Sequence, residues 1–108
     1  MNVPLDRLSE KARDRARKHS KKLFGNRDTL LVAVAVAQGS SDAVNATELG
    51  WQVQLQANRV RAQLLDFVEL GYMEDGAMQE RTRWFVRRDS PFWGMCEQIL
   101  AEVVDEGP

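Results

Sequence analysis

From Leu30 to Ala37 the chain reads LLVAVAVA, with an apolar side chain at each of eight successive positions. No face of such a segment can be left in water, so the rest of the chain must enclose it. The β-branched valines would suit a strand. Asp28, however, stands where a helix N-cap is expected, and GSSD follows Gln38 as a loop, so the reading taken is a buried helix over 28–38. The run is too short to span a bilayer, and the N-terminus carries no apolar targeting region. One cysteine, Cys96, leaves no partner for an intrachain disulfide and points to a reducing compartment. The expectation is a soluble cytoplasmic protein with no membrane partner.

A chain of 108 residues is expected to form one domain over 1–108, with a modest core. A formal net charge of −1 gives no global attraction to nucleic acid or to an anionic membrane. The charge is unevenly distributed, however. Nine basic and three acidic residues lie between Met1 and Arg27, and Arg81, Arg83, Arg87 and Arg88 form a second basic group.

Residues 4 to 24 place Leu5, Leu8, Ala12, Ala16, Leu23 and Phe24 on a charged background. Pro4 suits a first helical turn, so a long basic helix with a narrow apolar side is expected up to the Gly25-Asn26 break (1–24 as a unit). Its apolar side is expected to pack on the last helix, within one subunit or across a dimer. Ala43 to Asn45 is a candidate short strand. Asn45-Ala-Thr-Glu48 reads as a capping box that opens a helix through Gln52, and Val53 to Leu55 reads as a turn. A longer helix is then expected over residues 56 to 70, closed by Gly71. Tyr72 to Glu74 begins a strand, Asp75-Gly76 signals a hairpin turn, and Arg81 to Arg88 makes the return strand. Ser90-Pro91 opens a last helix, 90–104, and the polar tail DEGP is expected to fray.

In this order of elements, residues 28 to 88 resemble the winged helix-turn-helix fold of MarR- and ArsR-like transcriptional regulators. Leu49, Gly50, Val53, Leu55, Val60, Leu64 and Phe67 match the buried positions of that motif, and Gly71-Tyr72-Met73 matches the family's approach to the wing. Gln54 departs from it, standing where helix-turn-helix proteins often carry glycine. The resemblance implies a mainly α chain with a small β-wing (α+β), flanked by N- and C-terminal helices for packing or dimerisation. It also implies a homodimer that binds double-stranded DNA to regulate transcription, with residues 56 to 70 in the major groove.

Independently of the family, Val60, Leu64, Phe67 and Val68 repeat at helical spacing and should face the core. That rotates Gln56, Asn58, Arg59 and Gln63 outwards, where amides and a guanidinium have the donor and acceptor patterns needed to read base edges. Arg61 lies to one side and suits a phosphate, and Thr47 stands at a helix N-terminus that also suits one. Arg81 and Arg83, near the hairpin tip, suit an adjacent groove or backbone. The blander alternatives are a solvated helix face and a charge-protected edge strand.

No Ser/His/Asp or Cys/His constellation and no phosphate-binding glycine loop is present, so catalysis is not expected. His19 stands alone among lysines, so neither a metal nor a cofactor is expected, and a small-molecule effector is not indicated. Cys96 reads as an inert buried thiol, and Trp51, Trp84, Phe92 and Trp93 as anchors. Because fold does not fix function, two rivals stay open: a winged-helix protein-interaction module, and an architectural or plasmid-maintenance DNA binder.

Overall fold

The computed structural model describes residues 3 to 105, so the part of the expected frayed tail from Glu106 to Pro108 lies outside the described residues. The apolar run is a helix, α2 (Thr29–Gln38), in which every residue from Thr29 to Val36 is buried. The elements around it are α1 (Glu10–Phe24), α3 (Ala46–Val53), α4 (Ala57–Glu69) and α5 (Pro91–Asp105), all packed against it. The chain is α+β, with a small antiparallel sheet of β1 (Ala43–Val44), β2 (Met73–Gln79) and β3 (Thr82–Arg87) in the order β1-β3-β2.

α1 begins later than its sequence predicts. Leu5–Arg7 forms a single 3-10 turn, Leu8 and Ser9 are extended, and α1 starts at Glu10. The reason is local: the Ser9 hydroxyl accepts the Ala12 N–H at 3.1 Å, which satisfies an otherwise unpaired donor, and the break lets Leu5 turn into the core. The turn is held by Arg13, whose Nη2 donates to the Leu5 carbonyl at 2.7 Å while the side chain lies buried. One of the N-terminal cations is therefore structural. The apolar side of α1 packs within the chain, on α2 and α5.

α3 and α4 are joined by three residues. Asn45 caps α3 by accepting the Glu48 N–H at 2.9 Å, as half of the expected capping box. Gln54 ends α3 in the left-handed conformation, φ 60° and ψ 47°, and the chain turns so sharply that the Leu55 N–H donates to the Gly50 carbonyl at 3.0 Å. A Cβ on Gly50 would sit 2.7 Å from the Leu55 carbonyl oxygen, so glycine is what permits this approach. Val60, Leu64 and Phe67 then bury one side of α4, at about 1.5–3 kcal/mol for each large side chain removed from water. Phe67 meets Trp93 edge-on and Phe92 at a tilt, and Tyr72 stacks on Phe92 with ring centres 4.2 Å apart.

The hairpin turn is not at Asp75-Gly76. β2 continues to Gln79, and the chain reverses at Glu80-Arg81, both with positive φ (49° and 70°). This is the geometry of a two-residue hairpin loop that matches strand twist, formed without the usual Asn or Gly. Gly76 has another use. The register changes between Asp75, opposite Phe85, and Met78, opposite Arg83, so Gly76 and Ala77 form a bulge facing Trp84. A Cβ on Gly76 would lie 2.7 Å from the Trp84 carbonyl oxygen. β1 pairs with β3 through Ala43–Val86 and Val44–Phe85, which ties the hairpin to the helical body. Arg87 locks the same junction by donating to the Val36 and Ala37 carbonyls and to Asp42, each at 2.8 Å.

Candidate nucleic-acid interface

Four of the residues singled out in the sequence come together. The N-terminus of α3, the side of α4 and the hairpin tip enclose a cleft of about 80 Å³ lined by Asn45, Ala46, Thr47, Arg61, Arg81, Thr82 and Arg83. Each element contributes for its own reason. The Asn45 cap starts α3 at Ala46, which leaves Thr47 exposed beside the positive end of the helix. Val60 and Leu64 fix the roll of α4, which brings Arg61 to the flank nearest α3. The bulge and the Glu80-Arg81 turn set the reach of the hairpin and project Arg81. Drug-sized ligands occupy roughly 300–1,000 Å³, so this space suits one small anionic group.

The cations in the cleft differ in freedom. Arg61 and Arg81 are exposed, and neither is in a salt bridge among the described residues. Arg83 donates from both Nε and Nη2 to Asp75 across the bulge, with its guanidinium carbon 5.3 Å from the centre of the Phe85 ring. The Arg83 hydrogen bond holds the Asp75 carboxyl below its ordinary range, and the Asp75 carboxylate raises Arg83 in turn. Arg83 thus lines the cleft but reaches it already paired.

The exposed end of α4 carries Gln56 and Asn58 as expected, with the Asn58 side chain accepting the Arg59 N–H at 2.9 Å. Arg59 is half exposed and bonded to Asp28, from Nε at 3.1 Å and from Nη2 at 2.8 Å. Asp28 makes no side-chain cap on α2, so the residue expected as a cap gives its carboxylate to Arg59 instead. A salt bridge with one half-exposed partner contributes at most about 1 kcal/mol to stability.

Gln63 is corrected outright. It is 3% exposed, and its side-chain oxygen accepts the Thr29 hydroxyl at 2.8 Å, so it cannot read a base edge. Gln63 lies only about 60° around the helix from Val60, one turn past Arg59, and α2 covers that flank. The sequence marks Asp28 as a helix cap and Asp75 as a turn residue, and it does not indicate that they govern Arg59 and Arg83. Asp28 and Arg59 are 31 positions apart, and no local pattern links them.

Arg88 lies outside the cleft, 3.8 Å from Glu74. Trp51 is 78% exposed, one turn beyond Thr47 on the same side of α3. Cys96 is buried, and burial pushes its thiol up to about 12. No helix among the described residues is long and apolar enough to cross a membrane. Comparison of the chain with protein-family models, curated proteins and solved structures gave no significant match.

Proposed function

We propose that the chain is a winged helix-turn-helix protein that binds double-stranded DNA, most simply as a transcriptional regulator. In this reading α3 and α4 form the helix-turn-helix, α4 enters the major groove by its exposed first turns, and β2–β3 is the wing on flanking DNA. The observation that carries the reading is the cleft, where Thr47, Arg61, Arg81 and Arg83 meet at a helix N-terminus from three separate elements. A backbone phosphate there would receive N–H groups, a hydroxyl and two free guanidinium groups at once, which fixes register on the duplex without reading sequence. Gln56 and Asn58, beside it on α4, are then the amides that face bases. The attachment of the hairpin through β1 supports the same arrangement. The reading includes a homodimer meeting two half-sites about one helical turn apart. Because α1 and α5 pack on α2 within the chain, that dimer would use what they leave exposed, including Leu23 and Met95.

The test is a titration of random-sequence duplex at fixed low salt, comparing the wild type with the double variant Arg61→Ala/Arg81→Ala. The expected result is a uniform loss of affinity of about tenfold or more on every duplex. A wild-type protein that fails to bind duplex under these conditions would end the proposal. The exposed Trp51 favours a second reading, a protein-interaction module, since exposed tryptophan is a common interface anchor. Under it, Trp51→Ala would abolish capture of the partner and the double arginine variant would not.

A further inference from the structure

Resting on the DNA-binding reading, we infer that Asp28 is a positioning residue that presents Arg59 end-on to a guanine in the groove entered by α4. The geometry begins with the donors. A guanidinium has five N–H groups. Asp28 accepts one from Nε and one from Nη2, at 3.1 and 2.8 Å, and so occupies one edge of the fork. The opposite edge keeps both Nη1 hydrogens and the second Nη2 hydrogen. Its two parallel N–H groups match the paired O6 and N7 acceptors of guanine, whereas adenine offers N7 beside an N6 donor that repels them. The Arg59 side chain is 53% exposed while the Asp28 side chain is 8% exposed, so the carboxylate is fixed in the protein and the guanidinium it holds remains half open to solvent.

Two further observations give the pair a direction. Asp28 stands at the N-cap position of α2 yet makes no side-chain cap, so its two oxygens serve Arg59. Arg59 is the third residue of α4, in the exposed first turn beside Asn58. Charge separates a base from a phosphate as the target. With Asp28 beneath it, Arg59 is close to neutralised, which weakens attraction to an anion but leaves directional hydrogen bonding to a neutral base edge. Arg61, with no such carboxylate among the described residues, keeps the phosphate role on the other flank of the helix. Specificity at one base is then divided between a reader and the buried acid that limits its rotamers.

The experiment is selection of bound duplexes from a random pool by the wild type, Asp28→Asn, Arg59→Lys and Arg59→Ala, followed by binding to the selected duplex with the guanine replaced by 7-deazaguanine. The wild type should select guanine at one position of each half-site and lose about tenfold in affinity on the deaza duplex, which lacks the N7 acceptor. Asp28→Asn, nearly isosteric, should flatten that one position and become indifferent to the deaza substitution. Its affinity for unselected duplex should hold or rise, because an acid has been removed. If Asp28→Asn does not fold, Arg59→Lys carries the test: it keeps the charge, lacks the fork, and should flatten the same position. A guanine preference that persists in these variants overturns the inference, as does a uniform loss on every sequence with Arg59→Ala, which would make Arg59 a phosphate contact. Wild-type binding with no guanine preference overturns it while leaving DNA binding intact. No binding at all removes both.

Discussion

At the scale of single residues, Gln54 and Gln63 show two ways in which polar side chains depart from what their spacing suggests. Gln54 holds φ 60° without being glycine or asparagine, a conformation that costs an L-residue roughly 1–2 kcal/mol. It does so because the α3–α4 turn demands it, with Gly50 already committed to the close approach of Leu55. Gln54→Gly should therefore stabilise the protein by about 0.5–1 kcal/mol, offset in part by the extra freedom of glycine in the unfolded chain, and urea denaturation would show it as a raised midpoint. A lowered midpoint would mean that the exposed Gln54 side chain makes a contact worth more than the strain. Gln63 belongs to the interior with Thr29. Thr29→Val removes the hydroxyl and leaves the buried amide oxygen of Gln63 without its donor, so unfolding free energy should fall by about 1–3 kcal/mol with duplex affinity unchanged. Helical spacing predicts the buried apolar residues of α4 correctly. It cannot say how wide the covered sector is, and Gln63 lies just inside it because α2 packs on that flank.

At the scale of elements, the apolar run and the Asn45 cap were legible because each rests on local chemistry, whereas Asp28, expected to cap α2, makes no side-chain cap and α1 is capped by Ser9 instead. A segment apolar on every side must be central, and Asn45 four residues before Leu49 places the start of α3 to within one residue. The hairpin was legible as a pair of strands but not in its turn. Asp-Gly is a strong turn signal, yet here Gly76 serves a bulge, and Glu80-Arg81 accepts two positive φ values that the sequence gives no reason to expect. Since register decides which residues reach the tip, the true turn moves Arg81 to the end and draws Arg83 back against Asp75 and Phe85. Under the proposed DNA-binding reading, Arg81 is a position where fold and function pull in opposite directions. Arg81→Gly relieves a left-handed residue and should raise thermal stability slightly, by about 0.5–1 kcal/mol, while removing a free cation from the cleft and weakening duplex binding several-fold. Paired melting and binding curves would check it. If both quantities moved the same way, Arg81 would be acting through the shape of the turn and not through its charge.

At the scale of the whole molecule, a net charge of −1 coexists with a local site that carries two free guanidinium groups. The N-terminal basic group is less available than its composition suggests. Arg13 is buried on the Leu5 carbonyl, Asp14 lies within salt-bridge distance of both Lys18 and Arg27, and Lys21 donates to the Gly25 carbonyl. Under the proposed DNA-binding reading, the net charge of −1 gives little long-range attraction, so affinity should come from local contacts, among them the one phosphate held by the cleft of each copy. Each neutralised phosphate adds roughly 0.9 to the negative slope of log K against log salt, so the one phosphate that Arg61 and Arg81 share in the cleft predicts a slope of about −1 per copy. A pair of copies on a two-fold site should give about −2. Measuring the slope on a single half-site and on a spaced pair counts phosphates and subunits together. A half-site slope steeper than about −3 would put the lysines of α1 on the duplex and displace the cleft as the main anchor. A slope near zero would mean that the guanidinium groups meet no phosphate, and it would turn the search for a partner towards the protein surface around Trp51.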